Sequence, residues 1–468
     1  MKQKKSSWMS ALFAYAKNAK GELGLSVVLS VVSILLGLVP FFCMYRVICL
    51  FAAGTAAKAA VISWCAWSLA AYAGKVLCFT LSTGISHHAA YNILEGLRLR
   101  LVERFLHAPL GEVQKHSIGE IKSILVDKIE NIEPPLAHMI PEGAGHIVLP
   151  IVSFIALFAI DWRLALAALA VMLSMSMVGS LAKLEVFSEN MRQVKATVES
   201  LEAFLEMPAL PEPAQPAALQ GTGVELKNVH FSYSADGPEV LHGIDLALPQ
   251  GSFTALVGPS GGGKSTVAKL IARFWDVTQG SITIGGVDVR QMPLAQLSGL
   301  VSFVTQDNYL FRCSLLENIR LGNPAATDEQ VKAVARAAQC EELIAKLPQG
   351  YDTPAGEAGK RLSGGEKQRI SIARAMLKDA PIVILDEATA NVDPENEDRL
   401  QKAIEALTRD KTIIMIAHRL KTVCHADQIL VVDHGRIVQQ GTHEQLIGQP
   451  GIYAAFVGGR KQAEGWKL

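Results

Sequence analysis

Apolar positions are spread unevenly along this chain, and the unevenness divides it in two. Four stretches ahead of about Leu205 are long and apolar enough to cross a bilayer, which takes ~20 helical residues each. They are about Leu23–Leu50, Ala57–Ile85, Ala144–Ile160 and Leu164–Leu181, the third reaching full length only if residues around Ile140 extend it. Between the second and third lies a polar stretch, Tyr91–Glu133, in which Leu94, Leu97, Leu101 and Phe105 recur at three and four residues. That period predicts an amphipathic helix. Pro109 and Gly111 interrupt it, and Ser117-Ile118-Gly119-Glu120 opens a returning helix carrying Ile121, Ile124 and Leu125. A helical rod projecting from the membrane is expected.

Four prolines (Pro208, Pro211, Pro213 and Pro216) crowd the stretch 207–223 and prevent a continuing helix. They favour an extended connector, so the expected division is a membrane part over 1–205, a linker over 206–223 and a second domain over 224–468. In that domain Val224, Leu226, Val229 and Phe231 alternate as in a half-buried strand. The runs Ile382–Leu385, Ile413–Ile416 and Ile429–Val432 are apolar throughout, as strands buried on both faces of a parallel sheet must be. The fold class expected is an all-α transmembrane domain of about four helices followed by an α/β domain.

Charge refines the first half. Lys2, Lys4, Lys5, Lys17 and Lys20 precede an apolar run too long for a signal peptide, whose apolar region spans ~7–15 residues, so it reads as a retained transmembrane helix. Those lysines and the stretch with Arg98, Arg100, Arg104, Lys115, Lys122 and Lys128 belong on the cytoplasmic side; the short connectors Phe51–Ala56 and Asp161–Arg163 belong outside. Arg46 and Lys75 fall inside apolar runs, where a charge marks a substrate pathway or snorkels towards the interface. Overall, 44 Lys plus Arg balance 44 Asp plus Glu, which leaves no basic field for nucleic acid. The seven cysteines show no metal spacing and read as small buried hydrophobes.

The chemistry lies in the second half. Gly258-Pro259-Ser260-Gly261-Gly262-Gly263-Lys264-Ser265, followed by Thr266, fits GxxxxGK[ST] directly after the strand Thr254–Val257. Glycines let successive N–H groups turn inward, and the positive end of the following helix adds to the cradle. Lys264 supplies a charge to the β- and γ-phosphates and Ser265 a hydroxyl to Mg²⁺. Ile382–Leu385 delivers Asp386 to the metal side, and Glu387 is placed to polarise a water for attack on the γ-phosphate. Leu362-Ser363-Gly364-Gly365-Glu366 forms a second glycine-rich helix start. One ATP has little use for two such cradles from one chain.

LSGG followed by a strand ending in Asp386-Glu387 resembles the signature and Walker B of ABC ATPases. The resemblance implies an ABC ATPase domain in which Ser363, Gly364 and Gly365 of one subunit close over ATP held by the other's P-loop. It further implies that Tyr233 stacks on adenine, that Gln306 is the Q-loop glutamine touching Mg²⁺, that Asp393 holds the D-loop position and that His418 is the switch histidine contacting the γ-phosphate. Glu357 resembles the X-loop of exporter-type members. The stretch from Pro109 to Glu130 resembles the first intracellular loop of exporter-type half-transporters, and Ser188 to Pro213 resembles the end of their sixth span and linker. Such half-transporters have six spans; here the fourth runs almost directly into what resembles the tail of the sixth. The implied function is an ATP-binding/permease subunit that couples hydrolysis to substrate movement across the cytoplasmic membrane, as a homodimer or as a heterodimer with a second half-transporter. The shortened membrane part leaves open a regulatory or transport-defective subunit.

Overall fold

A computed structural model describes residues 14–234, 236–306, 308–356, 362–386, 394–416 and 423–465. They form two compact units: Met1–Ala108 with Glu112–Ala209, and Pro109–Gly111 with Leu210–Leu468.

The first unit is built on long helices: α1 (Lys20–Ala52), α2 (Lys58–His107), the short α3 (Ile118–Ser123), α4 (Ile140–Ile160) and α5 (Trp162–Leu205). Among the described residues, two helices are long and apolar enough to span a membrane, Ala16–Ala52 and Lys58–His107, while Val148–Ala159 is a shorter apolar stretch. The third and fourth expected spans lie on α4 and α5.

Close approach of α1 to α2 comes from small polar side chains. Ser26, Ser30 and Ser33 are buried at helical spacing, and Ser82 and Ser86 are buried on α2. The Ser82 hydroxyl donates to the Ser26 carbonyl at 2.7 Å, and Ser33 donates to the Lys75 carbonyl at 3.0 Å. In hydrocarbon, where no water competes, such bonds and close backbone packing hold helices together.

At 50 residues, α2 runs ~75 Å without a break. Its last turns bury Leu94, Leu97 and Leu101, as their spacing predicts, against Ile124, Ile129 and Ile132 and against Val198 and Leu201 of α5. Ser117 caps α3, accepting from the Glu120 N–H at 3.1 Å. The returning segment then widens twice into π-helical turns, Ile124–Lys128 and Pro135–Met139, which its periodicity did not announce. At the second, Pro134 and Pro135 withhold two N–H donors from the ordinary ladder. Asp161 caps α5 by accepting from the Arg163 N–H at 2.8 Å, and the helix then continues for 44 residues, ~66 Å. The apparent splice between fourth-span and sixth-span sequence therefore lies inside one uninterrupted helix. At its far end the Leu205 carbonyl accepts from Arg104 Nε of α2 at 2.7 Å, a cation placed where a helix C-terminus is negative.

In the second unit, strands β1 (Val224–Ser232), β2 (Glu239–Leu248), β4 (Gln279–Ile284) and β5 (Val287–Asp288) form an antiparallel sheet in the order β2-β1-β4-β5. A six-stranded sheet runs β10-β9-β3-β8-β7-β6, from β3 (Phe253–Val257), β6 (Val301–Val304), β7 (Ile382–Asp386), β8 (Thr412–Ile416), β9 (Gln428–Asp433) and β10 (Arg436–Gly441). All its pairings are parallel except β9 with β10. Helices α6 (Lys264–Ile271) and α7 (Gly364–Lys378) follow β3 and precede β7. The three apolar runs now have their explanation. In β7, Val383 and Leu385 enter one core and Ile382 and Ile384 the other; β8 and β9 alternate likewise.

On β1 and β2, His230 and His242 are directly opposed, and Glu239 lies between them, 2.5 Å from His230 Nδ1 and 2.8 Å from His242 Nδ1. Hydrogen bonds from His242 and then His230 hold its carboxyl below the usual carboxylate range.

Two outcomes follow from this packing. Ile414→Ala should cost about 2–5 kcal/mol and lower the thermal midpoint of the second unit, because the residue is fully buried in a central strand. Glu239, being depressed, contributes stability above its ordinary value of 4.5 that is lost as pH falls through the lowered value. Tryptophan-detected acid unfolding of Glu239→Gln should therefore lack a step below pH 4.5 that the parent shows.

Candidate nucleotide site

The phosphate loop starts where β3 stops and ends where α6 begins. Gly258 has φ +137° and Gly263 φ +107°, conformations open to glycine, and a Cβ at Gly258 would run into the Val432 carbonyl oxygen of β9. The turn between β9 and β10 braces the loop from behind, with the Gly435 N–H donating to the Gly262 carbonyl at 2.9 Å. Pro259, Ser260 and Gly261 are exposed, while Gly262, Gly263 and Lys264 are buried. The Lys264 ammonium donates to the carbonyls of Gly258 (3.0 Å) and Pro259 (2.7 Å). Its charge therefore sits within the curl of the loop.

Sheet register decides what else arrives there. Leu256 of β3 and Asp386 of β7 are both level with Ile416 of β8, the strand between them. β7 ends at that level and β3 one residue beyond it, at Val257, and the Ser265 hydroxyl donates to Asp386 Oδ1 at 3.3 Å. These are hard oxygen donors beside a phosphate cradle, the donor chemistry Mg²⁺ takes. On the far side of β7, Val304 of β6 is level with Leu385, which puts Gln306, two residues on, at the same edge with its side chain exposed.

Tyr233 directly follows β1. Its hydroxyl lies 2.8 Å from Thr266 Oγ1, and its ring meets Phe231 edge-on at 4.9 Å and Trp275 edge-on at 5.0 Å. Trp275 escaped the sequence reading. Its one signal was an aromatic pair, Phe274-Trp275, just past the phosphate-loop helix.

Ser363 is the N-cap of α7, and with Glu366 it makes a reciprocal capping box: the Ser363 N–H donates to Glu366 Oε2 at 2.8 Å, and the Glu366 N–H to Ser363 Oγ at 3.4 Å. A carboxylate at the third helical position completes such a box as well as an amide does. Ser363 and Gly364 are exposed and Gly365 buried. Among the described residues no hydrogen bond joins this helix start to the phosphate loop. Glu387, Asp393 and His418, and Glu357 with them, lie outside the described residues.

Comparison with known proteins agrees with this geometry. Residues 23–204 match the family described as the ABC transporter transmembrane region, and residues 241–390 match the ABC transporter family. Over 262 residues, 56% of this chain and 30% of the relative, the sequence is 49% identical to the mycobactin import ATP-binding/permease protein IrtA of Mycolicibacterium smegmatis. Over 240 residues, 51% of this chain and 42% of the relative, it is 46% identical to a putative multidrug export ATP-binding/permease protein of Staphylococcus aureus. The chain thus spans less than half the length of either relative. The structure of a bacterial Atm1-family ABC exporter with ATP bound superposes with a TM-score of 0.71 at 24% identity, covering 96% of this chain and 98% of that one, a likeness of fold. With a helical transmembrane region fused to an ATP-binding domain of ABC type, this chain belongs to the ABC transporters.

Proposed function

We propose that the chain is an ATP-binding/permease subunit that dimerises in the cytoplasmic membrane and couples ATP hydrolysis at the dimer interface to movement of a substrate. The observation that carries this reading is the hydrogen bond from Ser265 to Asp386 beside the buried Lys264, which gathers a phosphate cradle and an oxygen-donor pair at one sheet edge.

In this reading the N–H groups of Gly258 to Thr266, Pro259 excepted, and the Lys264 ammonium hold the β- and γ-phosphates, and Tyr233 takes the adenine. Ser265, Asp386 and Gln306 would hold Mg²⁺, which supplies charge neutralisation for the phosphates. Glu387 polarises the attacking water, and His418 contacts the γ-phosphate. Ser363, Gly364 and Gly365 serve the opposite copy's nucleotide, with Asp393 at the shared interface. A solvent-exposed, capped helix start, with no hydrogen bond to its own phosphate loop among the described residues, is suited to that task.

The roles separate in three measurements. Lys264→Ala should weaken ATP binding by roughly 10- to 100-fold, since a charge-assisted hydrogen bond is lost; unchanged affinity would remove the lysine from the site. Glu387→Gln should bind ATP as the parent does and release phosphate about 100-fold more slowly or worse. Lys264→Ala and Ser363→Arg chains, each inactive alone, should regain about a quarter of parental ATPase when mixed as a homodimer, because a mixed pair contains one intact site. No recovery would refute sharing of sites between copies.

A further inference from the structure

The hairpin of α1 and α2 contains a cavity that the nucleotide reading leaves unused. It measures about 520 Å³ and is lined by Pro40, Cys43, Trp64, Cys65, Ser68 and Tyr72 among others, a size ordinary for a small-molecule site. Its walls are almost wholly apolar. Two of the lining rings nevertheless carry cations: Arg46 lies over Trp64 at 5.6 Å and Lys75 over Tyr72 at 5.7 Å. Trp64 is at the end nearer the interhelical turn and Tyr72 at the other, so the two charges flank opposite ends of the cavity.

Across the apolar part of the hairpin these cations meet no carboxylate of its own, for residues 23–94 contain no aspartate or glutamate and the hairpin's acids, Glu22, Glu95 and Glu103, lie beyond it. Lys75 is the more deeply placed, 17 residues along α2 from its start, ~25 Å from the turn. Its aliphatic stem crosses Gly37 of α1, where a Cβ would stand only 3.3 Å from Lys75 Cδ. The glycine notch makes room for the stem and directs the ammonium towards Tyr72. A cation kept within an apolar span implies a partner. We propose that this cavity binds a lipophilic anion, its apolar body among Pro40, Trp64 and Tyr72 and its carboxylate or phosphate oxygens on Lys75, with Arg46 drawing the anion from the other end.

The test uses the full chain in phosphatidylcholine nanodiscs without nucleotide, so its outcome is separate from that of the ATPase reading. The probe is cis-parinarate, a fluorescent fatty carboxylate that accepts energy from nearby tryptophan, Trp64 and Trp67 of α2 among them. Sensitised emission should saturate, and oleate should displace the probe at least ~10-fold more effectively than oleyl alcohol, because only the acid carries the charge. Lys75→Met should abolish that preference, Lys75→Arg should keep it, and Gly37→Leu should reduce it by displacing the ammonium without removing it. Competition by added phosphatidylglycerol would identify the bilayer as the source of the anion; its absence would leave a free lipophilic acid, and either supports the site. Equal displacement by oleate and oleyl alcohol, or an unchanged preference in a well-folded Lys75→Met chain, overturns the proposal.

Discussion

The second unit depends on the parallel register of β3, β8 and β7. Because Leu256 and Asp386 stand level across Ile416, the phosphate loop and the carboxylate that ends β7 emerge on one line. A slip of one residue between β8 and β7 would turn Asp386 to the other face, and a slip between β3 and β8 would carry the phosphate loop out of line with it. That slip is resisted by two-sided burial: every residue of β7 and β8 is covered, so no shifted pairing leaves the cores intact. The ordinary hydrophobic effect thereby holds chemical groups in alignment.

Two other constraints share this logic of backbone held by backbone. Gly258 admits the Val432 carbonyl, and Gly435 donates to Gly262, so the loop is shaped from outside rather than by what it binds. A cradle formed in advance loses less entropy when a phosphate enters. At α7 the helix start is settled internally by the Ser363–Glu366 box, which leaves the exposed face of Ser363-Gly364 ordered.

Much of this was legible in the chain itself. The phosphate loop, the doubly buried strands and Asp386 could be read because each is local: a spacing, an unbroken apolar run, a carboxylate at its end. The rod core of Leu94, Leu97 and Leu101 was equally visible as a period. What stayed hidden needs partners remote in sequence. Ser26, Ser30 and Ser33 look like polar interruptions of an apolar run until Ser82 and the Lys75 carbonyl appear opposite them. Trp275 is one aromatic residue among many until Tyr233 meets it. The expectation of four comparable spans met a different obstacle: hydropathy reads a stretch, whereas helices end where caps and prolines end them. Thus α2 continues far beyond its apolar part, and the fourth span continues as α5 to Leu205.

The unbroken course of α5 has a mechanical meaning. A helix resists bending over its length unless a proline, a Gly/Ser pair or a widened turn supplies a joint, and α5 carries one such pair, Gly179-Ser180. Capped by Asp161 at one end and fastened through the Leu205 carbonyl to Arg104 at the other, α5 behaves as a lever tied to α2. A tilt imposed on either rod is therefore carried to its companion, and compliance is to be sought in the π-helical turns between α3 and α4 and at Gly179-Ser180 within α5.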